Sequence, residues 1–255
     1  NDDGYDAVGL KALIKALTPI AKVMVVAPAK NKSACGHSLT LDKPLRLISV
    51  DDEYYKIDDA TPTDCIYLSL GHLFKNGYRP DLVISGINIG ANMGEDITYS
   101  GTASAAMEAV IHGVPAIAIS QVCKDMCRSI VVDWDFELAC KVVLDLISRI
   151  KNGSFPLAER KFLNVNIPPL KVKDCKGVKI TKAGYREYGN DAHRHTNRRG
   201  EEYYWIGLHP LRWKRRLDSS CDFEAIKNGY VSISPIMLDM TSHSDIKNLE
   251  NWLEK

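Results

Sequence analysis

Four short segments of this chain carry residue types able to do chemistry together. Asn1-Asp2-Asp3-Gly4 sets two carboxylates side by side before a glycine. Neither carboxylate can enter an apolar core without a counter-charge, and at the carboxyl end of a strand the pair would converge on a hard divalent cation. Asn, Asp and Gly are also favoured turn residues, so a solvated turn is the plain alternative. Asn31-Lys32-Ser33-Ala34-Cys35-Gly36-His37-Ser38 follows an apolar run; Ser33 offers a neutral oxygen ligand and Lys32 a positive charge for a phosphate. A surface loop would have the same composition. In Ser85-Gly86-Ile87-Asn88-Ile89-Gly90-Ala91-Asn92-Met93-Gly94, three glycines permit close backbone approach and Asn88 brings an amide oxygen toward a cation. That spacing is neither G-x-G-x-x-G nor G-x-x-x-x-G-K-[ST], which disfavours a dinucleotide cofactor site. Tyr99-Ser100-Gly101-Thr102 stands directly before an alanine-rich helical run. A helix start presents free N–H groups and partial positive charge to a phosphate, and Ser100 and Thr102 add hydroxyls. An ordinary Ser/Thr helix cap reads the same way.

Each segment is weak alone. Together they place two carboxylates, a hydroxyl, an amide and an anion-binding helix start at one predicted sheet edge. That set suits metal-assisted attack of water on a phosphate ester. All-oxygen ligands favour Mg²⁺ or Mn²⁺ over zinc. Whether Asp2 and Asp3 are both ligands, or one of them is a general base, stays open at this stage. The D-x-D-G-[TS] pattern of a phosphoaspartate route is absent.

The elements that must position these residues alternate. Leu10, Leu13, Ile14 and Leu17 share helical spacing over Val8 to Leu17, and Pro19 follows. Val23 to Ala27 is a short continuous apolar run, the pattern of a buried parallel strand. A helix is predicted from Thr63 to Phe74, capped by Thr61 or Thr63. Asp81 to Ser85 is a second strand, Gly86 to Tyr99 a loop, Thr102 to His112 a helix, Pro115 to Ser120 a third strand, Trp134 to Ile150 a long amphipathic helix and Phe162 to Ile167 a fourth strand. Strands separated by helices imply an α/β fold with a mostly parallel sheet covered on both faces, whose ligands bind outside the carboxyl ends of the strands. An apolar strand is expected before Asn1 to scaffold the acidic pair. Beyond about residue 170 the texture changes: Val178 to Lys182, Glu202 to Leu208 and Tyr230 to Ile236 look like β segments, Arg186 to Glu202 is basic and polar, and Ser244 to Leu253 is a closing helix. Residues 1–170 are therefore expected to form the α/β core and residues 171–255 an extension of β segments and a terminal helix.

Composition excludes several classes. Of 255 residues, 45% are apolar and 25% charged, the mix of an ordinary globular protein. The formal net charge of +1 lacks the basic excess of a duplex-binding protein. No apolar stretch is long enough to span a membrane, and no leader is evident. Seven cysteines, at irregular spacing and several within apolar runs, read as reduced thiols of a cytoplasmic protein. Cys123 and Cys127 form a C-x-x-x-C pair with no second pair to complete a zinc site. His193 and His195 lie in a polar stretch that reads as a solvated face. Tyr203, Tyr204 and Trp205 read as core or interface residues before base-stacking ones.

These segments closely resemble the SurE family of nucleotidases. The resemblance rests on Asn1-Asp2-Asp3-Gly4, Val25-Val26-Ala27-Pro28, Asn31-Lys32-Ser33, Ser38-Leu39-Thr40-Leu41, Thr61-Pro62-Thr63-Asp64-Cys65, Ser85-Gly86-Ile87-Asn88, Tyr99-Ser100-Gly101-Thr102, Asn164-Val165-Asn166-Ile167-Pro168 and Gly229-Tyr230-Val231-Ser232-Ile233, in that order. It implies a Rossmann-like core and phosphate removal from nucleoside 5′- and 3′-monophosphates, with some members also trimming polyphosphate. It implies one divalent cation, Mg or Mn, at Asp2, Asp3, Ser33 and Asn88, and phosphate contacts at Asn88, Ser100, Gly101 and Thr102. Dimers or tetramers that exchange the C-terminal segment are implied too. Ala60 departs from the glycine common in the family before Thr61, and Cys35 and His37 fall in a loop that varies among members, so neither is assigned a role. The rival function is a non-catalytic, metal-dependent nucleotide sensor using the same cradle.

Overall fold

The computed structural model describes residues 1–74, 78–123, 134–189, 192–206, 212–214 and 220–254. The chain order is α1 (Val8–Leu17), β1 (Val25–Pro28), β2 (Arg46–Asp51), β3 (Tyr54–Asp58), α2 (Pro62–Leu68), β4 (Val83–Ile89), α3 (Gly101–Ile111), β5 (Ala116–Gln121), α4 (Glu137–Asn152), β6 (Lys161–Ile167), β7 (Val178–Ile180), β8 (Ala192–Thr196), β9 (Glu202–Ile206), α5 (Asp222–Lys227), β10 (Val231–Met237) and α6 (Ile246–Leu253). The main sheet runs β4-β5-β6-β10-β7, and a second sheet runs β1-β3-β2. β4, β5 and β6 pair in parallel, β10 lies antiparallel to β6, and β7 is parallel to β10. The architecture is mixed α/β with a mostly parallel central sheet.

Period-two alternation explains how this sheet is covered. Ile117 and Ile119 of β5, with Leu163, Val165 and Ile167 of β6, face α1 and α4 and join Leu13, Leu17, Leu138, Val143 and Ile147 in one core. Ala116 and Ala118, with Phe162, face the other way onto Ala103, Ala106, Met107 and Val110 of α3. Small side chains on both surfaces let α3 approach the strands closely. Full burial of each Ile, Leu or Phe contributes roughly 1.5–3 kcal/mol, so the two faces together fix the height of α3 above the sheet.

The structure corrects the loop expected from Gly86 onward. β4 continues through Gly86, Ile87 and Asn88 to Ile89. Ile87 is fully buried against the α1 face, and a side chain at Gly86 would begin 2.4 Å from the Ile119 carbonyl oxygen. The glycine permits the close backbone approach expected of it, but within a strand and not in a loop. Opposite β5, Ser85 and Asn88 stand across from Ala118 and Ser120, so three residue steps on β4 match two on β5. The bulge changes the face on which the following side chain emerges, a known device for aiming one residue beside a site. Strands β2 and β3 and helix α5 were not expected; within the basic, polar stretch β8 pairs antiparallel with β9 as a hairpin. Cys123 is disulfide-bonded, which corrects the reading of all seven cysteines as thiols; sulfurs brought close in space bond whatever their sequence pattern. Cys127 lies outside the described residues. Thiols are free at Cys35, Cys65, Cys140, Cys175 and Cys221.

Candidate active site

Asn1 to Gly4 is threaded between the carboxyl ends of β1 and β4. The Asn1 nitrogen donates to Ser85 Oγ at 3.1 Å, the Lys32 N–H donates to the Asp2 carbonyl at 2.7 Å, and the Tyr5 N–H to the Pro28 carbonyl at 2.8 Å. Asp2 is buried. Its Oδ1 accepts the Thr102 hydroxyl at 2.6 Å and its Oδ2 the Gly101 N–H at 3.1 Å. The acidic pair and the start of α3, about a hundred residues apart in sequence, are thus bonded directly. A carboxylate at a helix start is favoured by the free N–H groups and the helix dipole.

Asp3 reaches the other way. Its Oδ2 accepts the Ile89 N–H at 3.0 Å, and its Oδ1 takes a long hydrogen bond from Asn31 Nδ2 at 3.4 Å. Asn31 Oδ1 in turn accepts the Ser33 N–H at 2.8 Å. Asn31 therefore links Asp3 to the Ser33 turn, a role that reading the motif for oxygen ligands passed over. Asn88 donates its amide N–H to the Gly90 carbonyl at 3.0 Å, which leaves Oδ1 without a protein donor among the described residues. Lys32 joins through its backbone, as given above.

Ser100 caps α3 by accepting the Ala103 N–H at 3.0 Å. Its hydroxyl hydrogen has no acceptor among the described residues. The expected phosphate cradle is therefore shared: the Gly101 N–H and Thr102 hydroxyl are committed to Asp2, while the Ser100 hydroxyl stays available. A side chain at Gly101 would begin 2.8 Å from Asp2 Cβ, 2.9 Å from Pro62 and 3.0 Å from the Cys35 sulfur. The absence of that side chain lets the helix start sit on the carboxylate.

The loop from Asn31 to Thr40 is held at its far end by α2. Asp64 completes a capping box with Thr61 and also accepts the Thr40 N–H at 2.8 Å and the Thr40 hydroxyl at 2.7 Å. A second polar group, also passed over in the sequence, lies on the α3 face of the main sheet. The Asn92 N–H donates to Asn166 Oδ1 at 3.0 Å, its carbonyl accepts from Asn164 and Asn166, and its side chain donates to Ser120 Oγ at 2.7 Å. Two residues further, the Gly94 N–H donates to the buried Asp222 carboxylate at 2.8 Å. These bonds fix the path from Asn88 to Ser100. The signal was available as the Asn-Val-Asn repeat on a buried strand.

Burial pushes the Asp3 carboxyl above its ordinary value; the Ile89 N–H opposes this, and Asp2 adds to it. Among the described residues the hydrogen-bond donors to the two adjacent carboxylates are neutral, and the Asn1 ammonium acts on them through space. The side-chain oxygens of Asp2, Asp3, Ser33 and Asn88 are of the hard type that suits a divalent cation such as Mg²⁺ or Mn²⁺. Among the described residues no group of three or more His, Cys, Asp or Glu could hold a metal; His193 and His195 lie on the exposed strand β8.

The family model of "Survival protein SurE" matches residues 1–190. This chain belongs to the SurE family. It is 76% identical over 253 residues to the 5′-nucleotidase SurE of Aliarcobacter butzleri (strain RM4018), covering 99% of this chain and 97% of that protein. It is 59% identical over 255 residues to the 5′-nucleotidase SurE of Sulfurovum sp. (strain NBC37-1), covering 100% and 96%. Among solved structures, the SurE protein from Aquifex aeolicus superposes with a TM-score of 0.83 at 40% identity, covering 100% of this chain and 98% of that one. A SurE fold carried over the whole chain agrees with the order of motifs from Asn1 to Ile233.

Proposed function

We propose that this SurE-family chain removes phosphate from nucleoside 5′- and 3′-monophosphates, and from short polyphosphate, using one divalent cation, Mg or Mn, held by Asp2, Asp3, Ser33 and Asn88. The observation that carries this reading is the Asp2–Thr102 hydrogen bond, which makes the acidic pair and the helix start one site. The 5′-nucleotidase names of the relatives at 76% and 59% identity support the substrate class. The cation, when bound, supplies Lewis acidity and an acidified water. Ser100 donates its hydroxyl to a phosphoryl oxygen, and the Thr102 N–H at the start of α3, with the Gly101 N–H committed to Asp2 beside it, faces the same charge. Asn88 orients a further oxygen of the phosphate. Asp3 faces the site from the end of β4, held by the Ile89 N–H, and Asp2 keeps the helix start aimed.

The test is phosphate release from AMP, GMP and tripolyphosphate with Mn²⁺, Mg²⁺ or EDTA. Metal-dependent release from the monophosphates supports the reading. Tight nucleotide binding with no release under either metal would replace it with the sensor.

Residues 1–170 act as the catalytic core and residues 171–255 as an arm shared with a second copy of the chain, giving a homodimer or homotetramer. Supporting this, Tyr203, Tyr204, Trp205 and Ile206 of β9 are all exposed, as are Ile246, Leu249, Trp252 and Leu253 of α6. Apolar surface on that scale marks interaction sites. β10 of the same region is hydrogen-bonded into the main sheet beside β6. Light scattering of the whole chain tests the assembly, and a monodisperse monomer would reject it. The working compartment is the cytoplasm, which suits the thiols that are free among the described residues at Cys35, Cys65, Cys140, Cys175 and Cys221; no described helix is long and apolar enough to cross a membrane.

A further inference from the structure

Helix α3 carries a second polar feature on the side of Glu108, away from its N-terminus. Glu108 is buried, with its side chain 7% exposed, and its two oxygens are each taken by a histidine. Oε2 meets His37 Nε2 at 2.7 Å and Oε1 meets His112 Nε2 at 3.0 Å. His112 closes α3 one turn on, and its ring packs edge-on to Tyr67 of α2 at 5.5 Å between centroids. His37 comes from the Ser33 loop, 71 residues away in sequence. Burial pushes the Glu108 carboxyl up, but hydrogen bonds from His37 and His112 outweigh it and hold it below its ordinary value.

The anchors of the Ser33 loop show what His37 adds. The loop is pinned at Lys32 by the Asp2 carbonyl and at Gly36 by the Tyr99 carbonyl at 3.0 Å. Its far end is pinned at Ser38 and Thr40 by α2. Between them Ala34 and Gly36 both sit at positive φ, 60° each, so the turn that presents Ser33 is built from backbone that a non-glycine residue adopts at a cost. His37 is the side chain that ties this turn to α3. The i,i+4 bond from His112 already meets one Glu108 oxygen within the helix, so the His37 bond adds a connection between loop and helix.

We infer that Glu108 and His37 are a positioning pair that holds the Ser33 loop in register with the phosphate-facing start of α3, so that the loop and helix sides of the site keep a fixed separation. This rests on the cation-dependent reading of the site given above. His37 touches neither substrate nor cation; it acts through the loop.

The test uses the full chain as wild type, His37→Ala, His37→Gln and His112→Ala. Gln places an amide N–H where the imidazole Nε2 sits, so it restores the bond to Glu108. Hydrogen exchange of the amides of residues 33–37, read in metal-free protein, should quicken in His37→Ala, while α3 exchange and the melting temperature hold. The Mn²⁺ concentration for half-maximal phosphate release should rise about tenfold, the range for residues that orient ligands, with kcat at saturating Mn²⁺ close to wild type. His37→Gln should recover most of both effects, and His112→Ala should show a weaker version. Unchanged exchange in the loop of His37→Ala overturns the inference even if no activity is found in any form. So does a lowered melting temperature with unchanged Mn²⁺ dependence, which would make the pair a plain structural contact. A wild type without metal-dependent release, but with the exchange effect present, would fault the catalytic reading and leave the loop-to-helix coupling standing.

Discussion

Asp2 Oδ1 accepts the Thr102 hydroxyl at 2.6 Å from the first turn of α3. The bond joins Asp2 to a helix that begins only at Gly101, and it sets where the start of α3 stands relative to the acidic pair. A hydrogen bond to a charged group is worth about 1.5–3 kcal/mol. Thr102→Val keeps the shape and removes the donor, so kcat/KM is expected to fall by roughly 10- to 100-fold on that energy scale. Thr102→Ser should stay within a few-fold. Equal losses in both variants would mean that the methyl group, not the hydroxyl, matters.

Asn31 spans Asp3 and Ser33. Asn31→Ala should leave the fold intact, since the residue is exposed, while weakening cation binding by about 10- to 100-fold, the usual cost of losing a residue that orients ligands. Calorimetric titration with Mn²⁺ measures this. An unchanged affinity would show that Lys32 and Gly36, through their backbone anchors, hold the Ser33 turn without it.

Much of this architecture was legible because burial and period agree. α1 runs over Val8–Leu17 as its apolar spacing predicts; Leu10, Leu13 and Leu17 are buried with Gly9, and Ile14 is partly buried. β5 is buried at every position, as a continuous apolar run in a parallel sheet should be. The strands β2 and β3 escaped notice for the converse reason. β2 is mostly exposed, and the chain turns between them at Glu53, which takes a positive φ of 52° that glycine or asparagine normally signals. The motifs singled out Asp2, Asp3, Ser33, Asn88 and Ser100 to Thr102 as candidates, and the structure bonds Asp2 to Thr102 and links Asp3 to the Ser33 turn through Asn31. What could not be read was the use of each group. That Thr102 serves Asp2, or that Asn164 and Asn166 grip the Asn92 backbone, depends on strands distant in sequence meeting at one edge.

Asp222 shows how much of the site's support is remote. Its carboxylate is fully buried and accepts the N–H groups of Gly94, Gly184 and Phe223 at 2.8, 3.0 and 2.9 Å. Asp222→Ala leaves three buried donors unpaired, each costing about 1–3 kcal/mol. A loss of at least about 3 kcal/mol is expected in urea unfolding, on that scale. A loss below about 1 kcal/mol would indicate that water replaces the carboxylate.

Burial raises the Asp3 carboxyl above its ordinary 3.8. A raised carboxyl favours the fold below its unfolded value, and that contribution is lost as pH rises through the folded value. In metal-free protein at neutral pH, Asp3 is therefore a destabilising charge. Asp3→Asn should raise the melting temperature there, and the difference should vanish as pH falls below the ordinary carboxylate range. Melting curves in EDTA across pH check it. A lower melting temperature for Asp3→Asn at neutral pH would show that the hydrogen bonds from Ile89 and Asn31 need the charge more than burial opposes it.

The measurement that bears most directly on the central claim is phosphate release from AMP by wild type and Asp3→Asn side by side, with Mn²⁺ and with EDTA, together with Mn²⁺ binding to each. Wild type should bind the cation and release phosphate only when it is present. Asp3→Asn should lose both binding and release while melting cooperatively. Undiminished Mn²⁺-dependent release by Asp3→Asn would contradict the placement of the cation at the acidic pair.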